Sequence, residues 1–205
     1  MTFGSKTSVL GFMMCVLAVG LAGCFDHAQF GPGIEAHELA EPPVVPSQCA
    51  GAQPGAIAWR DMALRKYPST RDLGIVRACA GSDRSLHKAG RAFDWGLNIN
   101  NSAEKQLANG FIGWALSPDE FGHSHAMARR MGIAELIWNR RIYTTRQSPL
   151  FTGVYYSGAS AHTDHIHMSF TKRGGSGWVT WWWPSASCDQ PSEAPYRWNG
   201  SNCVR

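Results

Sequence analysis

The segment His165-Ile166-His167-Met168-Ser169-Phe170 constrains this chain most. It alternates apolar and polar residues with the period of a strand. Ile166 and Met168 would then face a core, while His165 and His167 share the opposite face, their Cα atoms about 7 Å apart. Two imidazoles on one face of a strand make half of a metal site. A tetrahedral zinc needs more ligands, and His87 and Asp94 are the natural candidates, because imidazole nitrogen and carboxylate oxygen both bind zinc at about 2.0–2.2 Å. A coordination position left for water suits catalysis, since zinc lowers the pKa of water to about 7.

The rest of the chain predicts the frame around that strand. The run 55–67 places Trp59, Met62 and Ala63 at helical spacing and stops before Pro68. "LGIVRAC" reads as a buried strand, and "RAFDWGL" as a second strand after a turn at Gly90. "SAEKQLANGFIGWAL" reads as a helix with Leu107, Phe111 and Trp114 on one face. A further helix is expected to start at Ser117, with Pro118 in its first position and Glu120 completing a capping box, and to stop at Gly132. On that helix His123 and His125 would diverge by about 200° and stay on the solvent side. "IAELIWNRRIYTT" reads as two strands joined near Asn139-Arg140, and "KRGGSG" as a flexible loop. Helices interleaved with short, hairpin-like strands predict an α+β fold with a mostly antiparallel sheet.

Both ends read differently from this middle. Lys6 precedes the apolar run 9–22, which has the length of a signal-peptide core rather than of a membrane span. It ends in Leu21-Ala22-Gly23-Cys24, which resembles a bacterial lipobox with Cys24 as the lipidated residue. Residues 1–23 are thus expected to be a lipoprotein signal peptide. The Pro- and Gly-rich residues 24–48, which include His27 and His37, are expected to be a tether. Residues 49–183 form the folded domain, and 184–205 a Cys-stapled extension. Apart from Cys15 and Cys24, Cys49, Cys79, Cys188 and Cys203 remain, an even set in an exported chain with three pairings available; the local pairs Cys49–Cys79 and Cys188–Cys203 are favoured. The expected location is outside the cytoplasmic membrane, held by the N-terminal lipid, on its outer side or in the periplasm or cell-wall space. A net charge of +4 with no basic block argues against a nucleic-acid partner.

Ser85-x-His87-x-x-Gly90-x-Ala92-x-Asp94 matches every fixed position of the S-x-H-x-x-G-x-A-x-D motif of the LAS group of zinc metallopeptidases. The chain resembles that group, which includes D-Ala-D-Ala carboxypeptidases and dipeptidases, murein endopeptidases and, as a relative in fold, the hedgehog signalling domain. His165-Ile166-His167 matches its second motif, H-x-H, and the wider run His162-x-x-His165-x-His167 looks like the murein endopeptidase version. "AELIWNRRIY" is similar to actinobacterial secreted proteins of this type, and the resemblance covers residues 70–172. It implies a hedgehog/DD-peptidase-like fold, zinc ligands at His87, Asp94 and His167, and cleavage of peptide bonds in peptidoglycan at the cell envelope. His165 and His162 are the implied proton-handling groups. The carboxypeptidase branch has a Glu three residues before the last ligand; this chain has Asp164 there. In a regular strand Asp164 would face away from His165 and His167, so it ranks behind the two histidines. Arg84 and Ser85, at the head of the first motif, are candidates for substrate contact; Arg84 could hold a carboxylate by a bidentate pair.

Two other classes stand beside the peptidase. One is a non-catalytic zinc-binding module of hedgehog type, and the other a disulfide-stapled envelope adaptor. The Trp-rich "GWVTWWWP" reads as core and groove wall, or as a platform for glycan or peptide. No G-x-S-x-G, H-E-x-x-H or C-x-x-C occurs, which removes the commonest serine, zincin and thioredoxin-type sites.

Overall fold

The computed structural model describes residues 49–80, 85–119, 122–177 and 179, and the backbone of 197–198 and 203–204. The expected signal peptide and tether, Cys24, Arg84, Cys188 and the side chain of Cys203 lie outside the described residues. The short ladder Arg197–Trp198 with Cys203–Val204 is antiparallel. Among the described residues, no helix is long and apolar enough to cross a membrane.

Six strands form one antiparallel sheet: β1 (Arg71–Asp72), β2 (Ala92–Gly96), β3 (Ile133–Trp138), β4 (Arg141–Thr144), β5 (Val154–Tyr155) and β6 (His165–Phe170), in the order β1-β2-β6-β3-β4-β5. The α+β expectation holds. β6 is the central strand. Its register with β2 sets Asp94 opposite His167 and Phe93 opposite Met168. Pairing with β3 sets Leu136 opposite Met168. Opposed residues share a face, so Phe93, Trp95, Leu136, Trp138, Ile166 and Met168 form the buried face, all nearly inaccessible to solvent. Asp94, His165, His167 and Ser169 lie on the other face.

Two helices, α1 (Pro54–Lys66) and α2 (Ser102–Leu116), pack on the buried face. Phe111 of α2 stands edge-on to Trp59 of α1 and Trp95 of β2, with ring centroids 5.3 and 5.6 Å apart. The indole of Trp138 donates to Asn109 Oδ1 and that of Trp95 to Thr70 Oγ1, so two large rings are buried without losing their polar partners. Asn101 caps α2 by accepting from Ala103 and Glu104 N–H groups.

Four local readings are corrected. "LGIVRAC" is not a buried strand: only Arg71–Asp72 pairs regularly, Gly74 turns with φ 110°, and Leu73 and Val76 are 47% and 52% exposed. Ser117 ends α2 instead of opening the next helix, its hydroxyl donating to Trp114 O. That next helix, α3, is only Ala126–Arg130, although Gly132 does stop it at φ 66°. The turn before it is held by Asp119, which accepts from His123 and Arg130 and so takes the place of a helical turn. His125 is not solvent-side on a helix; it precedes α3, half-buried, donating to Leu116 O and packed on Phe151. "KRGGSG" is not a loose loop but the short helix α4 (Lys172–Ser176). A Cβ on Gly174 would meet Gly132 O, and one on Gly175 the Arg91 side chain. The glycines are there for close packing rather than for flexibility.

Candidate metal centre

His87 lies in a single 3₁₀ turn, Leu86–Ala89, ahead of β2. Ser85 caps this turn by accepting from His87 N–H, and Gly90 closes it with φ 64°. A side chain at Gly90 would run into Gly51 O, because the segment after Cys49 lies against the turn: Ala50 N–H donates to Lys88 O and Gln53 N–H to Gly90 O. The Cys49–Cys79 disulfide joins that segment to the one bearing Ile75, as the local pairing predicted. Ile75 O is the partner of His87 Nδ1, at 2.8 Å. A carbonyl only accepts, so His87 carries a proton on Nδ1 and turns Nε2 toward Asp94 and His167.

His87, Asp94 and His167 come together as a cluster able to hold a metal ion. His167 Nδ1 lies 2.8 Å from Asp94 Oδ1 and 3.2 Å from His87 Nε2, and Nε2 is 3.1 Å from the same Oδ1. Donor atoms around a tetrahedral ion at zinc–ligand distances would be roughly 3.3 Å apart, close to what is found here. Proton accounting points the same way. One proton on His167 Nδ1 can bridge to Asp94, and Nε2 of His87 meets the same oxygen favourably only through a second proton or an ion. A cation among the three atoms satisfies all of them at once. These residues therefore fit a metal ion. Burial raises the Asp94 carboxyl, but hydrogen bonding to His167 and then His87, with their attraction, outweighs it and holds Asp94 well below the usual carboxylate range, so it is an anionic ligand.

Two more imidazoles border the cluster. His165 Nε2 is 3.6 Å from Asp94 Oδ1, while its Nδ1 donates to Asp164 Oδ1 at 2.8 Å. β6 begins at His165, so Asp164 escapes the strand alternation that would have turned it away; its side chain is 71% exposed. His162 packs 4.8 Å from the His165 ring and 5.8 Å from that of His167, with Tyr156 edge-on at 5.1 Å. It sits in the left-handed region at φ 50°, a strained conformation for a non-glycine residue. The β3–β4 turn holds it there, with Asn139 N–H donating to His162 O and Arg140 N–H to Ala161 O. Burial, then the neighbouring His167 and His165, lower His162 to about 4, leaving it neutral at pH 7. Ser169 was not singled out from sequence. It is buried, and its Oγ lies 2.8 Å from His167 Nε2. The signal that could have found it is the spacing His167-x-Ser169, which puts both on one face of the strand.

The described residues thus bring together five of the sequence candidates, His87, Asp94, His167, His165 and His162, with Asp164 at the margin. Ser85 caps the turn that carries His87. A search of curated proteins and one of solved structures each return no match. A family model described as VldE, C-terminal domain, matches residues 48–167. That is more than half of the 205 residues, running from the disulfide segment to His167, and the chain belongs to the VldE C-terminal domain family.

Proposed function

We propose that this chain is a zinc-dependent hydrolase of peptide bonds in peptidoglycan, of the LAS type, exported and anchored at the cell envelope through Cys24. The observation that carries the reading is the convergence of His87 Nε2, Asp94 Oδ1 and His167 Nδ1 within 3.2 Å of one another, beside two further imidazoles. The chemistry that zinc supplies when bound is Lewis-acid activation of a carbonyl and of water.

The proton work falls to His165. Its Nδ1–H is tied to Asp164, which fixes the tautomer, leaves Nε2 basic on the cluster side, and steadies the imidazolium formed when it takes a proton from the attacking water. The same imidazolium then returns that proton to the leaving amine. His162, neutral and rigid, backs His165 and narrows the room for water. Arg84 and Ser85 remain the proposed contacts for substrate, with Ser85 acting chiefly by placing His87.

Asp164 stands where the carboxypeptidase branch has Glu, and this favours a second reading, a zinc-binding module without catalysis. Digestion of a muropeptide mixture by wild type and His165→Ala, read by mass spectrometry beside the zinc content of each, separates the two. The peptidase reading expects cleavage by wild type, none by the variant, and zinc in both. Zinc in both with no cleavage by either favours the module.

A further inference from the structure

Three imidazoles at this site are oriented alike. His87 donates through Nδ1 to Ile75 O, His162 through Nδ1 to Ser160 O, and His165 through Nδ1 to Asp164. In each, Nδ1 is spent on an anchor and Nε2 is left for chemistry. His167 is reversed: its Nδ1 faces Asp94 and His87, and its Nε2 is engaged by Ser169 Oγ. The alternative ring orientation is a flip of about 180° at χ2, which would turn the carbon Cδ2 toward Asp94 and His87 and the carbon Cε1 toward Ser169. On the side away from the cluster, what opposes the flip is Ser169, two residues along the same face of β6.

We propose that Ser169 is a positioning residue that selects Nδ1 as the metal-binding nitrogen of His167, a proposal that rests on the metal reading above. A hydroxyl both donates and accepts. With no ion bound, it donates to Nε2 while Nδ1–H serves Asp94. With an ion on Nδ1, the ring proton moves to Nε2 and the hydroxyl accepts it. Ser169 therefore holds the ring in one orientation through both states, and its burial keeps water from competing for Nε2. An outer hydrogen bond of this kind commonly carries 10–100-fold in metal affinity.

The test uses the full chain and zinc alone, titrated against a competing chelator, in wild type, Ser169→Ala, Ser169→Thr and Ser169→Val. The proposal expects zinc affinity to fall about 10–100-fold in Ser169→Ala and Ser169→Val and to stay within about threefold of wild type in Ser169→Thr. Imidazole ¹⁵N spectra of the zinc-loaded protein should show Nε2–H on His167 in wild type and in Ser169→Thr. If wild type binds zinc but Ser169→Ala and Ser169→Val bind it as tightly, the positioning role is wrong while the metal reading survives. Wild type that binds no zinc overturns both. Thr and Val are nearly isosteric, so their comparison removes packing and isolates the hydroxyl; an equal loss in both overturns the proposal.

Discussion

Replacing both Cys49 and Cys79 with Ser tests how His87 is held at the candidate metal cluster. The bridge closes a loop with a sequence separation of 30, and chain-entropy scaling assigns such a loop about 3.6 kcal/mol of stabilisation. Its removal also frees two segments that enclose the His87 turn. One hydrogen-bonds to Lys88 O and Gly90 O, and the other supplies the Ile75 carbonyl to His87 Nδ1. Urea unfolding of the metal-free protein should lose about 3–4 kcal/mol; with a slope of about 2 kcal/mol per M, the midpoint drops by nearly ~2 M. Zinc affinity should fall with it, because His87 loses part of what fixes its tautomer. A stability loss below about 1 kcal/mol would refute the loop-closure reasoning. Unchanged zinc affinity would show that the turn is held without the bridge.

Gly90→Ala forces a left-handed alanine against Gly51 O and should destabilise the protein by ~2–4 kcal/mol in the same assay. On the proposed peptidase reading, His165→Gln should lower peptide cleavage by about 10²–10⁴-fold while zinc stoichiometry stays at the wild-type level, read by turnover and metal analysis together. Acid should weaken the metal-free fold through His162. Its pKa is near 6.5 when unfolded and about 4 when folded, so the unfolded chain takes up the proton first. Stability contributed by the neutral ring is intact above about 6.5 and is lost as pH falls toward 4, and His162→Phe should flatten that part of the stability–pH curve.

Much of this is legible in the sequence. The period of 165–170 foretold which residues face the core, and the two-part spacing of His87, Asp94 and His167 foretold the cluster. What escaped reading was set by tertiary contact. Leu73 to Cys79 has strand composition, yet only Leu73 and Gly74 still bond to Asp94 of β2; the turn at Gly74 and the demand of His87 for the Ile75 carbonyl take the rest off the sheet. Ser117-Pro118 looks like a helix start, but the Ser117 N–H and hydroxyl are claimed by Trp114 O, and Asp119 organises the chain that follows. The glycines of 174–175 carry no pattern that tells packing from looseness; only the backbone of Gly132 and the stem of Arg91 do. Asp164 was ranked by strand alternation, which fails because the strand starts one residue later.

The most direct measurement is zinc binding by the metal-free full chain, in wild type and in Asp94→Asn. The substitution keeps the shape of the side chain and removes its charge. A metal centre at His87, Asp94 and His167 predicts one zinc per chain in wild type, with a higher melting temperature on loading, and loss of both in Asp94→Asn. A wild type that takes up no zinc, or an Asp94→Asn protein that binds and is stabilised equally well, would contradict it.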